Sequence, residues 1–480
     1  MKKLYRFSAI ALLVLPLAFT SCSDYLDRDD DDNITEADVF ARYEKVNGLV
    51  SDVYAAAKKA DRPLVFFEHF SNSAITDECE GTNVEGNITN NFNNGAWNPN
   101  SLPGSVGQYW EALYEGIRKA NLIIENVQKY NTPDNPQQDG DLRNRIGEMY
   151  FMRGYFHMLL LRMYGEAPYI DRVINAGDNM DFKKESVHSM VEKIVTDAQT
   201  AYGMVPNKYV KTSENFGRVD KGACLGLISF VRWVAATPLW NGASQYGYNL
   251  RRVFENEYAY DATRWRKAKE AAKAVLDFEV GGTKRYSLYT KHDANDFKDP
   301  ADGNLNDSRV YARLWDMFYD MDAFANEYVF FMTKSKDQAW QGDIYPPSRE
   351  GSSRQQPVQE QVDEYEYIVG DYGYPVYSAE ARKGGYDDTN PYVKGTRDPR
   401  FYRDVIYHGA PYRNNKNESK TINTASGSDK IGATNATTTG YYLRKFQQES
   451  WNKSGNFSIN APAIWRLPEF IYIYAEACNE

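Results

Sequence analysis

Between Tyr109 and Val127, apolar side chains recur at three- and four-residue steps. Trp110, Leu113, Tyr114, Ile117, Asn121 and Ile124 fall on one stripe, which Leu122, Ile123 and Val127 widen. That period predicts an amphipathic helix. A second one is predicted from Ile146, Met149, Tyr150, Phe156, Leu160 and Met163, ended by Gly165 and Pro168. Ser186 reads as the N-cap of a third, with Val187, Met190, Val191, Ile194, Val195 and Ala198 inward. The stretch 220–240 is apolar almost all round, so its helix belongs in the middle of the fold, and Pro238 ends it. Trp265, Ala268, Ala272, Val275 and Leu276 predict a further helix. An early one covers about Glu36 to Lys59, and a last one turns Leu467, Phe470, Ile471, Tyr474 and Ala475 inward.

Successive helices of this length suggest stacked helical hairpins of tetratricopeptide type. Their spacing is irregular and no 34-residue signature recurs, so this is an analogy of architecture. The remainder alternates with them: 61–107, 241–260, 281–326 and 334–440 are rich in Gly, Asn, Asp, Pro and aromatic residues. Loops of that length inside a globular chain are usually functional. Asn326 to Met332 and Arg400 to His408 read as short strands. The fold class is therefore mostly α: a tetratricopeptide-like scaffold, long irregular loops and a few short strands. One domain is expected over 35–480, helical to about 280 and loop-rich beyond, with its last helix uncapped and the chain cut short at the C-terminus.

The N-terminus has its own pattern. Lys2, Lys3 and Arg6 precede the apolar run Ala9 to Phe19, then Thr20 and Ser21 lead to Cys22. These are the parts of a secretory signal over 1–21, and the run is too short to span a bilayer. A small residue before cysteine resembles the lipobox of bacterial lipoproteins, which implies lipidation of Cys22. Six aspartates lie between Ser23 and Asp32. Such a block repels itself and buries nothing, so 22–34 reads as a solvated tether.

Composition narrows the function. A net charge of −10 argues against nucleic acid, which needs a basic face. Cys79, Cys224 and Cys478 are widely spaced and form no CxxC pair. They make no disulfide framework or metal motif, though one disulfide is compatible with export, and Cys224 lies on an apolar helix face. No GxSxG, HExxH, GxGxxG or phosphate loop occurs, and the five histidines do not cluster; His157 and His188 read as partners of polar groups on helices. No catalytic residue or cofactor is assigned, and the reading is a non-enzyme. A pair of carboxylates set by the fold would make a glycosidase instead. Asp293 to Asp307 offers oxygen ligands without the EF-hand register, so calcium there is the alternative to a solvated turn.

The ordered segments resemble the SusD/RagB family of outer-membrane nutrient-binding lipoproteins. They are CSDYLD at 22–27, YWEALYEGIRKANLIIENV at 109–127, MRGYFHMLLLRMYGEAPYI at 152–170 and GRVDKGACLGLISFVRWVAATPLWNG at 217–242. WRKAKEAAKAVLD at 265–277, RDPRFYRDVIYHG at 397–409, YYLRKF at 441–446 and WRLPEFIYIYAEACNE at 465–480 follow. The family usually continues past that last helix. The resemblance implies capture of glycan at the outer face of the outer membrane and its delivery to a SusC-like TonB-dependent transporter; capture of peptide is the close alternative, and a helical adaptor for a protein partner a more distant one.

A sugar ring has an apolar C–H face and a polar edge, so its site needs aromatic platforms with amides, carboxylates or arginine around them. With 9 Trp, 37 Tyr and 23 Phe, the chain has more aromatics than its helical stripes use. The candidates are those in polar loops: Trp97 and Asn98, Trp315 and Tyr319, and Trp340 with Asp343, Tyr345 and Arg349. Trp97 doubles as a loop anchor and Trp315 as a core residue. Trp110, Trp233 and Trp265 lie on helix stripes and are read as structural.

Overall fold

A computed structural model describes residues 35–60, 71–82, 88–96, 104–130, 136–209, 215–242, 254–290, 317–318, 320–332, 342–393, 395–413, 419–447 and 463–480. The helical layer comes first. Helices α1 (Glu36–Phe40) and α2 (Tyr43–Ala60) are followed by α3 (Ile88–Asn93), α4 (Gly104–Tyr130), α5 (Pro136–Tyr164), α6 (Val187–Met204), α7 (Lys221–Ala236) and α8 (Ala262–Leu276). From α4 to α8 each helix packs on the next, as stacked hairpins do. The caps follow the sequence. Ser186 accepts from the Ser189 N–H, and Asp220 and Asp261 do the same for α7 and α8. Gly165 ends α5 at φ +71°, a conformation that favours glycine.

The single early helix expected over 36–59 is two. Ala41 and Arg42 are good helix formers, so propensity does not make the break. In one continuous helix Phe40 and Val46 would point about 120° apart. The turn lets both enter the same core.

α7 is buried as expected, Cys224 included, and all three described cysteines are free. α5 is equally central, which its narrow predicted stripe understated. Phe151, Met152, Tyr155, Phe156, Met158, Leu159, Leu160 and Leu161 are all buried, covering the whole circumference. It crosses α4 so closely that a Cβ at Gly116 would sit 2.5 Å from the Phe156 ring.

The buried charged side chains of α5 are paired. The Arg153 guanidinium donates from Nε to Asp197 Oδ2 at 2.8 Å and from Nη2 to Oδ1 at 2.5 Å. Tyr169 donates to the same carboxylate at 2.6 Å, and Arg153 also reaches Asn121 and the Asp171 carbonyl. On the other side of α5, Glu148 takes Arg145 at 2.6 Å and Arg218 at 2.9 Å.

His157 stacks on Tyr169 with ring centres 3.7 Å apart. Its Nδ1 lies 2.8 Å from the Arg153 carbonyl and its Nε2 accepts from the Ile170 N–H at 3.0 Å. Those partners suit a neutral ring protonated on Nδ1. Burial pushes its pKa down from 6.5 to about 3, with the Arg153 and Lys193 charges adding to the effect and the carbonyl bond opposing it. His188, bonded to the Trp240 carbonyl, is pushed down to about 4, mainly by burial. The unfolded chain protonates these rings near 6.5 and the folded one refuses the proton. Their contribution is therefore complete above about pH 6.5 and is lost as pH falls toward the folded values. Melting temperature is expected to drop between pH 7 and pH 5, and less steeply in His157→Gln; equal slopes would remove His157 as a cause.

The remaining elements are small. Strands β1 (Ile75–Thr76) and β2 (Cys79–Gly81) lie before α3, and β3 (Glu279–Val280) and β4 (Thr283–Lys284) form a hairpin after α8. Then come α9 (Met321–Asn326), β5 (Tyr328–Phe331), β6 (Gln355–Pro357), α10 (Gln359–Asp363), β7 (Tyr367–Val369), β8 (Tyr372–Tyr374), α11 (Ala379–Lys383), α12 (Pro399–Asp404) and β9 (Val405–Ile406). β10 (Pro411–Arg413), β11 (Ser419–Thr421), β12 (Tyr442–Leu443), β13 (Ala463–Arg466) and α13 (Leu467–Asn479) complete the order. Every paired strand is antiparallel.

Asn326 to Met332 contains the expected strand, β5. Arg400 to His408 is mostly helix instead, because Asp398 caps α12 and Pro399 starts it, a start signal hidden behind the aromatic residues. Residues 464–466, expected to open the last helix, instead belong to β13, which pairs with β5. This places Trp465 against Phe330, Phe230 and Tyr155 and ties the C-terminal part to the helical core. α13 then packs on α7 and α8 through Leu467, Phe470, Ile473 and Ala477; Ile471 and Ala475 face outward, against expectation. Apolar residues surround that helix, and small Ala477 meeting Ala236 and Ala268 selects the face.

Candidate functional site

Cys22, Trp97, Asn98, Trp315, Tyr319, Trp340 and the loop Asp293 to Asp307 lie outside the described residues. The structure does show where the segments that carry the aromatic candidates begin. β1, β2 and β6 form one sheet in the order β1-β2-β6, with Cys79 opposite Pro357 and Gly81 opposite Gln355. α3, which leads to Trp97, is fastened to this sheet by the Asn93 amide. That amide donates to the Ala74 carbonyl at 3.2 Å and to Glu80 Oε2 at 3.2 Å.

The segment after Trp340 folds back on the same sheet. The Ser352 N–H donates to Gly342 O at 2.9 Å and the Arg354 N–H to Asp343 O at 2.6 Å, while the Thr82 N–H donates to Arg354 O at 2.8 Å. One residue, Arg354, therefore joins the strand that leaves toward α3 to the segment that follows Trp340. Gln356, wholly buried, reinforces the junction. Its amide donates to Thr82 Oγ1 at 2.8 Å and to the Ser353 carbonyl, and accepts from Thr438 Oγ1 at 3.1 Å.

The third segment enters through Phe318. Its ring meets Phe446 edge-on at 4.4 Å, and the neighbouring Gln447 donates to the Ile344 carbonyl at 3.3 Å. The roots of all three aromatic loops are thus linked by direct contacts. Backbone strain collects there too. Four described non-glycine residues have positive φ, and three of them, Glu350, Ser353 and Phe446, sit on these roots. Strain of this kind persists where surrounding contacts impose it and clusters at ligand sites.

Of the described candidates, Asp343 stays at the surface edge. Its Oδ1 lies 4.0 Å from Arg354 Nε, with the side chains 13% and 25% exposed. A carboxylate beside a guanidinium suits adjacent sugar hydroxyls, one donating and one accepting. Tyr345 and Arg349, expected as ligand contacts, are core residues. Tyr345 is 0% and Arg349 1% exposed, and the guanidinium lies 4.7 Å from the Tyr345 ring centre and 4.5 Å from that of Tyr412. Polar sequence company cannot separate a solvent-facing arginine from one sandwiched between rings.

Sequence reasoning missed Arg354 and Lys445. Lys445 lies beside Phe446, its Nζ 5.2 Å from the ring centre. Burial lowers its pKa, and Arg403 and Arg466 lower it further, against Asp404 and Glu78. Lys445 stands in the segment YYLRKF but its type singles out no role there, and no motif marks Arg354; both are placed by pairing between distant strands. A groove of about 290 Å³ lies on the helical layer between α1, α2 and α4, and one of about 440 Å³ lies between α7, β13 and α13, where its lining residue Arg466 sits 5.9 Å from the Phe318 ring centre. Among the described residues no group of His, Cys, Asp and Glu is arranged to hold a metal, and no helix is long and apolar enough to cross a membrane.

Known proteins share this fold. A sequence profile described as SusD-like, starch-binding and associating with the outer membrane matches residues 24–231, and that of the SusD family matches 315–480. The SusD-like protein P2 of Formosa agariphila is 24% identical over 202 residues, a match spanning 41% of this chain and 38% of that protein. The crystal structure of a SusD-like protein from Bacteroides fragilis covers 92% of this chain and 76% of its own at 18% identity, with a TM-score of 0.67. A laminarin-binding SusD-like protein covers 91% and 80% at 15% identity, with a TM-score of 0.52. Identities this low establish a common fold.

Proposed function

We propose that this chain, which belongs to the SusD family, captures glycan at the outer membrane without cleaving it, holding the sugar on the aromatic loops rooted at the β1-β2-β6 sheet. The observation that carries the reading is the junction at Arg354 and Gln356, which ties together the segments bearing Trp97 and Trp340 and, through Gln447 and Phe446, the one bearing Trp315 and Tyr319. Asn98, Asp343 and the neighbouring Arg354 supply the polar edge. Lipid on Cys22 moors the chain, the aspartate tether gives it reach, and a SusC-like TonB-dependent transporter receives the glycan. No cofactor takes part.

Stacking needs the indole face, so Trp340→Ala removes a contact worth about 1–3 kcal/mol. Isothermal titration against a polysaccharide panel is expected to show roughly tenfold or greater loss of affinity in this variant. The melting temperature stays unchanged, and no reducing ends are released by the parent protein. Full affinity in the variant removes Trp340 from the site. Affinity for peptides alone transfers the reading to peptide capture, and release of sugar products makes the protein an enzyme.

A further inference from the structure

We infer that a second glycan-contact surface, suited to neutral sugar chains, lies on the face formed by α10 and the turn after β8, with Tyr377 as its platform and Gln359 and Asp363 as its polar edge. This rests on the glycan-binding reading above and extends it to a second position. Most tyrosines of this C-terminal part are buried or half-buried, whereas the Tyr377 ring is 54% exposed. It is nevertheless held. Val376 before it is fully buried, and Ser378 after it is the N-cap of α11. The ring meets Tyr386 edge-on at 5.9 Å, and its hydroxyl donates to Asp363 Oδ1 at 3.2 Å. An exposed ring fixed in this way loses little rotamer freedom when a sugar stacks on it.

The polar groups beside it are fixed as well. The Gln359 amide donates to Asp363 Oδ1 at 2.7 Å, and its carbonyl accepts from Tyr441 at 2.7 Å. No described donor reaches Asp363 Oδ2, so that oxygen is available to a sugar hydroxyl. Charge selects the kind of sugar. Between residues 359 and 388 the chain carries eight Asp or Glu against Arg382 and Lys383, and Arg382 is paired with Asp388 at 3.0 Å. A uronate or sulfate group would face uncompensated carboxylates there, while a neutral hydroxyl would not.

The surface lies at the far end of β6 from Arg354. Five residue steps of extended chain lead from Arg354 to Gln359, about 16 Å. A polymer long enough to reach both places gains from both, and a short oligomer occupies the loop site alone.

Titrations of the full chain with the neutral polymers laminarin, starch and xylan, with short oligomers of whichever polymer binds, and with alginate and polygalacturonate test this. Tyr377→Ala is expected to weaken the neutral polymer roughly tenfold and to leave the oligomer within about twofold. Tyr377→Phe, which keeps the ring, retains most of the polymer affinity, and melting curves of both variants check that the fold is intact. Unchanged polymer affinity in Tyr377→Ala, or tighter binding of the acidic polymers by the parent, overturns the inference while leaving glycan capture standing. A parent protein that binds none of these glycans overturns both.

Discussion

In an Asp197→Ala variant the unfolding free energy is expected to fall by about 3–5 kcal/mol, the usual cost of stranding a buried charge. The carboxylate and its partner Arg153 are 6% and 8% exposed, and the pair bridges α6 and α5. Removing the carboxylate leaves a guanidinium inside the helical layer facing Asn121, the Asp171 carbonyl and the Tyr150 ring, with no charge to balance its own, and it strands the Tyr169 hydroxyl. Urea unfolding measures the loss. Because both residues act through one contact, the Arg153→Ala/Asp197→Ala double variant should lose clearly less than the sum of the two singles. Additive losses would mean that the bridge is not a coupled unit and that the helices are held by apolar packing alone.

The second large effect concerns the junction beneath the loops. Gln356→Leu keeps side-chain volume but removes the amide that links buried Thr82 Oγ1 and the buried Ser353 carbonyl to Thr438; the Thr82 hydroxyl still donates to the Ser353 carbonyl, and Thr438 turns to solvent. Each hydrogen bond lost there costs about 0.5–1.5 kcal/mol. The damage is local, since the β1-β2-β6 sheet lies outside the stacked helices, so the helical circular dichroism should be unchanged. Glycan affinity is expected to fall at least about tenfold, because a site loosened by around 1 Å loses its geometry. A variant that keeps full affinity would show that the loops hold their conformation without this junction, and the site would have to be sought elsewhere on the surface.

These two variants mark the limits of what the chain reveals on reading. The Asp197 helix was readable to its N-cap because its apolar stripe and Ser186 are local signals. The predicted inward residues Val187, Met190, Val191, Ile194, Val195 and Ala198 are all buried. Where apolar residues cover the whole circumference, as in α5 and α13, periodicity cannot choose a face, and packing against neighbouring alanines and aromatics chose it instead. Tyr345 and Arg349 were misplaced for a related reason. An aromatic and an arginine among polar residues have the same composition whether they line a site or close a core beneath it.

What the sequence determined by itself is most of the helical scaffold, its caps and the family resemblance, since each depends on residues within a few positions of one another. What only the tertiary structure decided is the junction of Thr82, Arg354, Gln356 and Gln447, the pairing of β5 with β13, and the exposure of Tyr377. Gln356 and Thr82 are 274 positions apart. Contacts at that separation are selected by the packing of the whole chain and leave no local period to read.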